Sequence, residues 1–162
     1  MGRLSGRVLA VLFVVVLVVA GAAALRLWGG GADSANGSAP VTSVDELAGR
    51  WAAVNATRAP AALAAPVVLT FDGERVSVQT GCNTGGGTVS VEDSRLVLGG
   101  RGLALTEMAC LEEGRAGQEA WVVSMLDARP RLERSGPYLY LHWGEGERYW
   151  LGLERSDGAA QG

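Results

Sequence analysis

Val67-Val68-Leu69-Thr70-Phe71-Asp72-Gly73-Glu74-Arg75-Val76-Ser77-Val78-Gln79 carries the pattern that decides the fold class. Residues 67, 69 and 71 share one face, Asp72-Gly73-Glu74 is a turn signal, and alternation resumes at Val76 and Val78. A period of two on both sides of a glycine turn predicts a β-hairpin, because successive strand side chains point to opposite faces. Thr88–Val91 and Arg95–Leu98 repeat the arrangement around Glu92-Asp93-Ser94, and Tyr138–Leu141 and Tyr149–Leu153 repeat it around Gly144-Glu145-Gly146. Between the second and third hairpins one helix is predicted, from about Glu112 to Ala128. Glu112 and Glu113 suit the positive end of its dipole, and Pro130 stops it. Trp121, Met125 and Leu126 would face the sheet. The expected class is therefore α+β, with one main helix packed on a curled, mostly antiparallel sheet.

Working outward, Val8 to Leu25 is an uncharged run of eighteen residues, VLAVLFVVVLVVAGAAAL. That is long enough to cross a hydrocarbon core as a helix. Arg3 and Arg7 precede it, while Arg26 and Trp28 follow, so the charge bias places the amino terminus inside and the remainder outside. The competing expectation is a cleaved signal peptide, with Ala20-Gly21-Ala22 or Ala22-Ala23-Ala24 as the cleavage site and a secreted product. The apolar run exceeds the usual signal length, which favours an uncleaved anchor. Gly29 to Ser43 is small, polar and glycine-rich, a tether spanning about 20 Å. The expected organisation is a cytoplasmic segment 1–7, an anchor 8–28, a linker 29–43, an extracytoplasmic domain 44–154 and a disordered tail 155–162.

The chain has 162 residues, 14 arginines and no lysine, which excludes a Walker-A loop, a Schiff base or a lysine nucleophile. Beyond Arg26, 11 arginines face 17 carboxylates, so the body is acidic and unsuited to nucleic acid. One histidine and two cysteines are too few for an ordinary zinc centre, and no cofactor or metal is expected.

Candidate chemistry is sparse. Gly81-Cys82-Asn83-Thr84-Gly85-Gly86-Gly87 precedes a strand rather than a helix, so it reads as a tight turn with several positive-φ glycines and not as a phosphate cradle. Cys82 and His142 are the residue types of a nucleophile and its base. His142 alternates with Tyr138 and Tyr140, however, and no orienting Asn or Asp is evident, so it reads as an ordinary sheet residue. Glu92-Asp93 and Glu112-Glu113 are neighbours in sequence, whereas acid–base work needs carboxylates opposed across a cleft. Trp143, Trp150, Tyr138, Tyr140 and Tyr149 crowd the last hairpin, as cross-strand packing or as a binding groove.

Four separated pieces together resemble the META domain, the family of the heat-shock protein HslJ. Leu47-Ala48-Gly49-Arg50-Trp51 is similar to its first strand, and Gly81-Cys82-Asn83 to its central Gly-Cys-Asn. Thr106-Glu107-Met108-Ala109-Cys110 resembles its Thr-x-Met-x-Cys, and Glu119-Ala120-Trp121 with Leu126 resembles its helix pattern. Gly85 and Val89 stand where members often carry aromatics. The resemblance implies a helix on a curved antiparallel sheet, a cell-envelope setting and links to stress tolerance and secretion, with no agreed catalytic residues.

The expected role is thus non-enzymatic binding or structural support at the membrane, with an envelope protein or small ligand as partner. The alternatives are a thiol-active protein cycling Cys82 and Cys110, and a carrier with an apolar pocket. An oxidising compartment favours a Cys82–Cys110 disulfide, the single connectivity that two cysteines allow. If the two stay apart, Cys110 beside the helix start is the more reactive thiol.

Overall fold

The computed structural model describes residues 37–57 and 63–156. The expected anchor, most of the linker and the tail beyond Ser156 lie outside these residues. No helix among the described residues is long and apolar enough to cross a membrane.

Among the described residues, ten strands and one α-helix follow in chain order: β1 (Ala39–Pro40), β2 (Gly49–Ala56), β3 (Val68–Asp72), β4 (Arg75–Gln79), β5 (Thr84–Glu92), β6 (Arg95–Leu98), β7 (Ala104–Leu105), α1 (Arg115–Asp127), β8 (Arg131–Ser135), β9 (Tyr138–Trp143) and β10 (Tyr149–Arg155). All pairings among them are antiparallel. The order β8-β6-β5-β4-β3-β2-β10-β9 is closed by a β8–β9 ladder, so the expected curled sheet is in fact an eight-stranded barrel. Closure removes the exposed edges that an open sheet would leave. A β-bulge between Gly152 and Leu153 supplies local bending on the β2–β10 side.

The narrowest join is β6 to β8, where only Arg95 and Arg131 stand in register. Two guanidinium groups side by side would repel. Glu147 offsets this, taking Arg131 Nε at 2.8 Å and Arg95 Nη2 at 3.5 Å. Backbone bonds from Leu132 N to Ser94 O and from Leu96 N to Pro130 O complete the seam.

The hairpins form where alternation predicts them. Val76 and Val78, Leu139, Leu141 and Trp143, and Leu151 and Leu153 are buried in the barrel, and Val122, Met125 and Leu126 of α1 join the same cluster. Asp93 and Ser94 both take positive φ, 50° and 58°, the geometry a two-residue hairpin turn with right-handed strand twist requires.

Three local expectations need correction. The helix starts at Arg115, not Glu112, because Gly114 adopts φ +80° and breaks the helical path. Glu112 lies outside the first turn and pairs with Arg115 at 2.6 Å. In the glycine-rich run only Gly81 has positive φ; Gly85, Gly86 and Gly87 are extended within β5. They are needed for close approach, since a Cβ there would strike backbone of Ala104, Val76 and Gly102 respectively. Finally, residues 39–43 belong to the folded body: β1 pairs with β8, Val41 is buried, and Ser43 with Glu46 forms a capping box.

Candidate functional site

Three polar side chains are buried among the described residues, Thr80, Asn83 and Gln118, and all three meet at the Gly-Cys-Asn corner between β4 and β5. Burying such groups is costly unless each is hydrogen-bonded. Asn83 uses its carboxamide fully. Its Oδ1 accepts from Thr106 Oγ1 at 2.7 Å and from Met108 N at 2.8 Å, and its Nδ2 donates to Met108 O at 3.2 Å and Glu119 Oε1 at 3.1 Å. The side chain thereby pairs with the Met108 backbone as a strand would, and exhausts its two donors and two acceptor sites.

Glu119 receives from three groups. Thr80 Oγ1 donates to its Oε2 at 2.7 Å and Asn83 N at 3.0 Å, in addition to the Nδ2 bond. Burial pushes its carboxyl upward, but bonds from Thr80 and Asn83 outweigh that and hold it below the ordinary glutamate value. Gln118, on the same helical turn, donates from Nε2 to Ala65 O at 2.9 Å and Thr80 O at 2.7 Å, and accepts from Ala65 N at 3.2 Å. Gly81 lies directly beneath this amide with φ +97°, and a Cβ there would collide with Gln118 Nε2.

Cys82 and Cys110 are joined in a disulfide, with Cα atoms 5.7 Å apart, inside the usual range. Their sulfurs and the Glu119 carboxylate lie within 4.8 Å of one another, a spacing that could suit a metal ion. The bonded sulfurs offer no thiolate, and Asn83 Nδ2 sits 3.6 and 3.9 Å from them and 3.1 Å from Glu119, filling the position an ion would take. The arrangement is a clamp joining the β4–β5 corner, α1 and the segment after β7.

Of the other residues singled out from the sequence, Thr106 and Met108 belong to this clamp. Trp51 lies in the barrel core with Nε1 donating to Leu47 O at 2.6 Å, and Leu126 is buried in the same core. Trp121 meets Trp143 edge-on at 5.3 Å. His142 faces outward from β9 beside Tyr140, with two or more strands between it and Cys82 in either direction around the barrel. Burial, then Arg131, push its imidazole below the usual value against the pull of Glu133 and Glu147. Cys82 and His142 are therefore not brought together. Thr80 and Gln118 escaped the sequence reading; Gln118 stands on the apolar face with Val122, Met125 and Leu126, and a lone amide there was the available signal.

A family model described as the META domain matches residues 45–155. The chain belongs to the META domain family. An NMR structure of a protein from Burkholderia xenovorans resembles this META domain with a TM-score of 0.57 at 23% identity, covering 79% of this chain and 98% of that one. A second NMR structure matches with a TM-score of 0.55 at 17% identity, covering 72% and 97%. Both likenesses speak for the fold. No curated protein matches the chain.

In this META domain, Gly81→Ala is expected to destabilise by about 2–4 kcal/mol, combining positive-φ strain with overpacking against Gln118. Urea unfolding measures it. A loss under about 0.5 kcal/mol, the range of an inconsequential surface change, would show that Gln118 swings aside freely.

Proposed function

We propose that this META-domain chain is an HslJ-like, membrane-anchored extracytoplasmic protein of the bacterial cell envelope that acts by binding or structural support and serves stress tolerance. The observation that carries the reading is the clamp itself. The polar groups of the family motif bond to one another, and both thiols are consumed in a disulfide, which leaves the motif a structural task. A disulfide also suits an oxidising compartment, in keeping with the orientation read from Arg3 and Arg7. Trp51, Leu69, Phe71, Leu139 and Leu141 occupy the barrel core, so a partner would be met on the outer surface rather than inside.

A carboxy-terminal alkaline phosphatase fusion is expected to be active and to stay with membranes after carbonate washing. An inactive fusion beside an active cytoplasmic reporter overturns the extracytoplasmic reading, and release by carbonate replaces the anchor with a cleaved signal. For the non-enzymatic role, His142→Gln should complement a deletion strain fully. Loss of complementation by a folded, abundant variant would restore a catalytic reading.

A further inference from the structure

Residues 106–114 run from β7 to α1 without regular structure, and every one is exposed except the half-buried Cys110. None contributes to the buried core. This strap nevertheless presents two large apolar side chains, Met108 at 61% and Leu111 at 92% exposure. Among the described residues, its hydrogen bonds to the barrel come from Thr84 and Asn83 and, apart from a 3.9 Å contact of Asn83 Nδ2 with Cys110 Sγ, reach no further than Met108. Beyond that point the Cys82–Cys110 bond is what ties it to the barrel, while Glu112 and Gly114 are tied to α1 through Arg115 and the Gln118 N–H. The bond borders an open depression of about 250 Å³ that Met108, Ala109, Leu111 and Arg115 also line.

We propose that the Cys82–Cys110 disulfide is a reducible catch, a site of exchange with a dithiol, whose opening frees the strap while the barrel stays folded. It adds regulation to the clamp described above and depends on the clamp's geometry, not on the compartment, so it and the fusion result fail separately.

A thiolate of the dithiol enters the depression and attacks Cys110 Sγ, forming a mixed disulfide. The Cys82–Cys110 bond breaks, and its electron pair leaves on Cys82 Sγ, which takes up a proton. The second thiol of the reagent then attacks the mixed disulfide at its own partner sulfur. Its own ring closes and Cys110 departs to be protonated. Two electrons and two protons pass from the dithiol to the protein. Re-forming the bond removes two electrons from the pair, so the open state persists until an oxidant acts. The strap then keeps its anchorage to the barrel at Thr106 and Met108 and its ties to α1 at Glu112 and Gly114, whereas the core of the barrel does not involve it. Opening is local.

The test uses the full-length chain and dithiothreitol without denaturant, followed by a glutamate-specific protease and mass spectrometry. Cleavage after Glu112 and Glu113 is expected to rise about tenfold or more on reduction, with near-ultraviolet circular dichroism unchanged. A Cys82→Ser/Cys110→Ser chain should show the same cuts without dithiothreitol. A bridge that resists dithiothreitol until denaturant is added overturns the proposal, as does unchanged cleavage at the two glutamates. Cuts spreading into the strands with loss of the near-ultraviolet signal, or a double variant that does not fold, overturn it too, since the barrel must stand without the bridge.

Discussion

Trp51→Ala is expected to lower the stability of the domain by about 4–5 kcal/mol, the upper range for removing a buried aromatic. The indole has no exposed surface and donates from Nε1 to Leu47 O, tying β2 to the turn that precedes it. Arg134 and Arg155 continue the inward phase of Leu132 and Leu153, and their guanidinium groups lie 5.7 and 5.6 Å from the ring centroid. Those two side chains also donate to Glu46 O and Ala48 O. One ring thus holds β2, β8, β10 and residues 46–48 at one end of the barrel. Alanine would leave a large void and remove the face on which both cations rest. Trp51→Phe should cost about half as much, retaining most apolar volume but leaving Leu47 O without its donor. Chemical denaturation of the three proteins gives the ranking. An alanine variant within about 2 kcal/mol of wild type would show that the barrel end collapses onto the void.

Removing the disulfide is expected to cost about 3.5 kcal/mol, from the closure entropy of a loop of this length. The cysteines are 28 residues apart, and the loop they close contains β5, β6 and β7. Against a typical domain stability of about 5–15 kcal/mol the loss is large, yet it leaves the barrel folded at room temperature. Reduced wild type and Cys82→Ser/Cys110→Ser should unfold at the same denaturant concentration, both below the oxidised protein. A difference under about 1 kcal/mol between oxidised and reduced protein would mean that the unfolded chain is already compact across this loop.

Strand positions were legible wherever one face alternates. Val76 and Val78 against Arg75, Ser77 and Gln79 left one choice of face, and the pattern in Tyr138–Trp143 was equally plain. β8 was not legible, because Arg131-Leu132-Glu133-Arg134-Ser135 has one apolar residue, Arg131 is paired with Glu133 and the distant Glu147, and Arg134 rests on Trp51. The run Gly85-Gly86-Gly87 misled for a related reason. Glycine permits positive φ, but it equally permits close backbone approach, and the crossing of residues 102–105 over Gly85 and Gly87, with the Val76 carbonyl of β4 beside Gly86, selects the second. The start of α1 shifted because glutamates favour a helix N-terminus in isolation, while Gly114 turns the chain immediately before Arg115.

By itself the sequence determined the hairpins, the helix between the second and third of them, the one partner each cysteine could take and the motif that marks the META family. Each rests on local periodicity, on short-range chemistry, or on the single pairing available to two cysteines. Tertiary structure decided that the sheet closes, through a β8–β9 ladder and one pair of residues between β6 and β8. It also decided what the motif is for. Asn83 meets Met108 and Glu119 across 25 and 36 residues, and Gln118 reaches Ala65 across 53. No periodicity encodes such bonds, since a buried amide finds its partners only once packing has excluded water from around it.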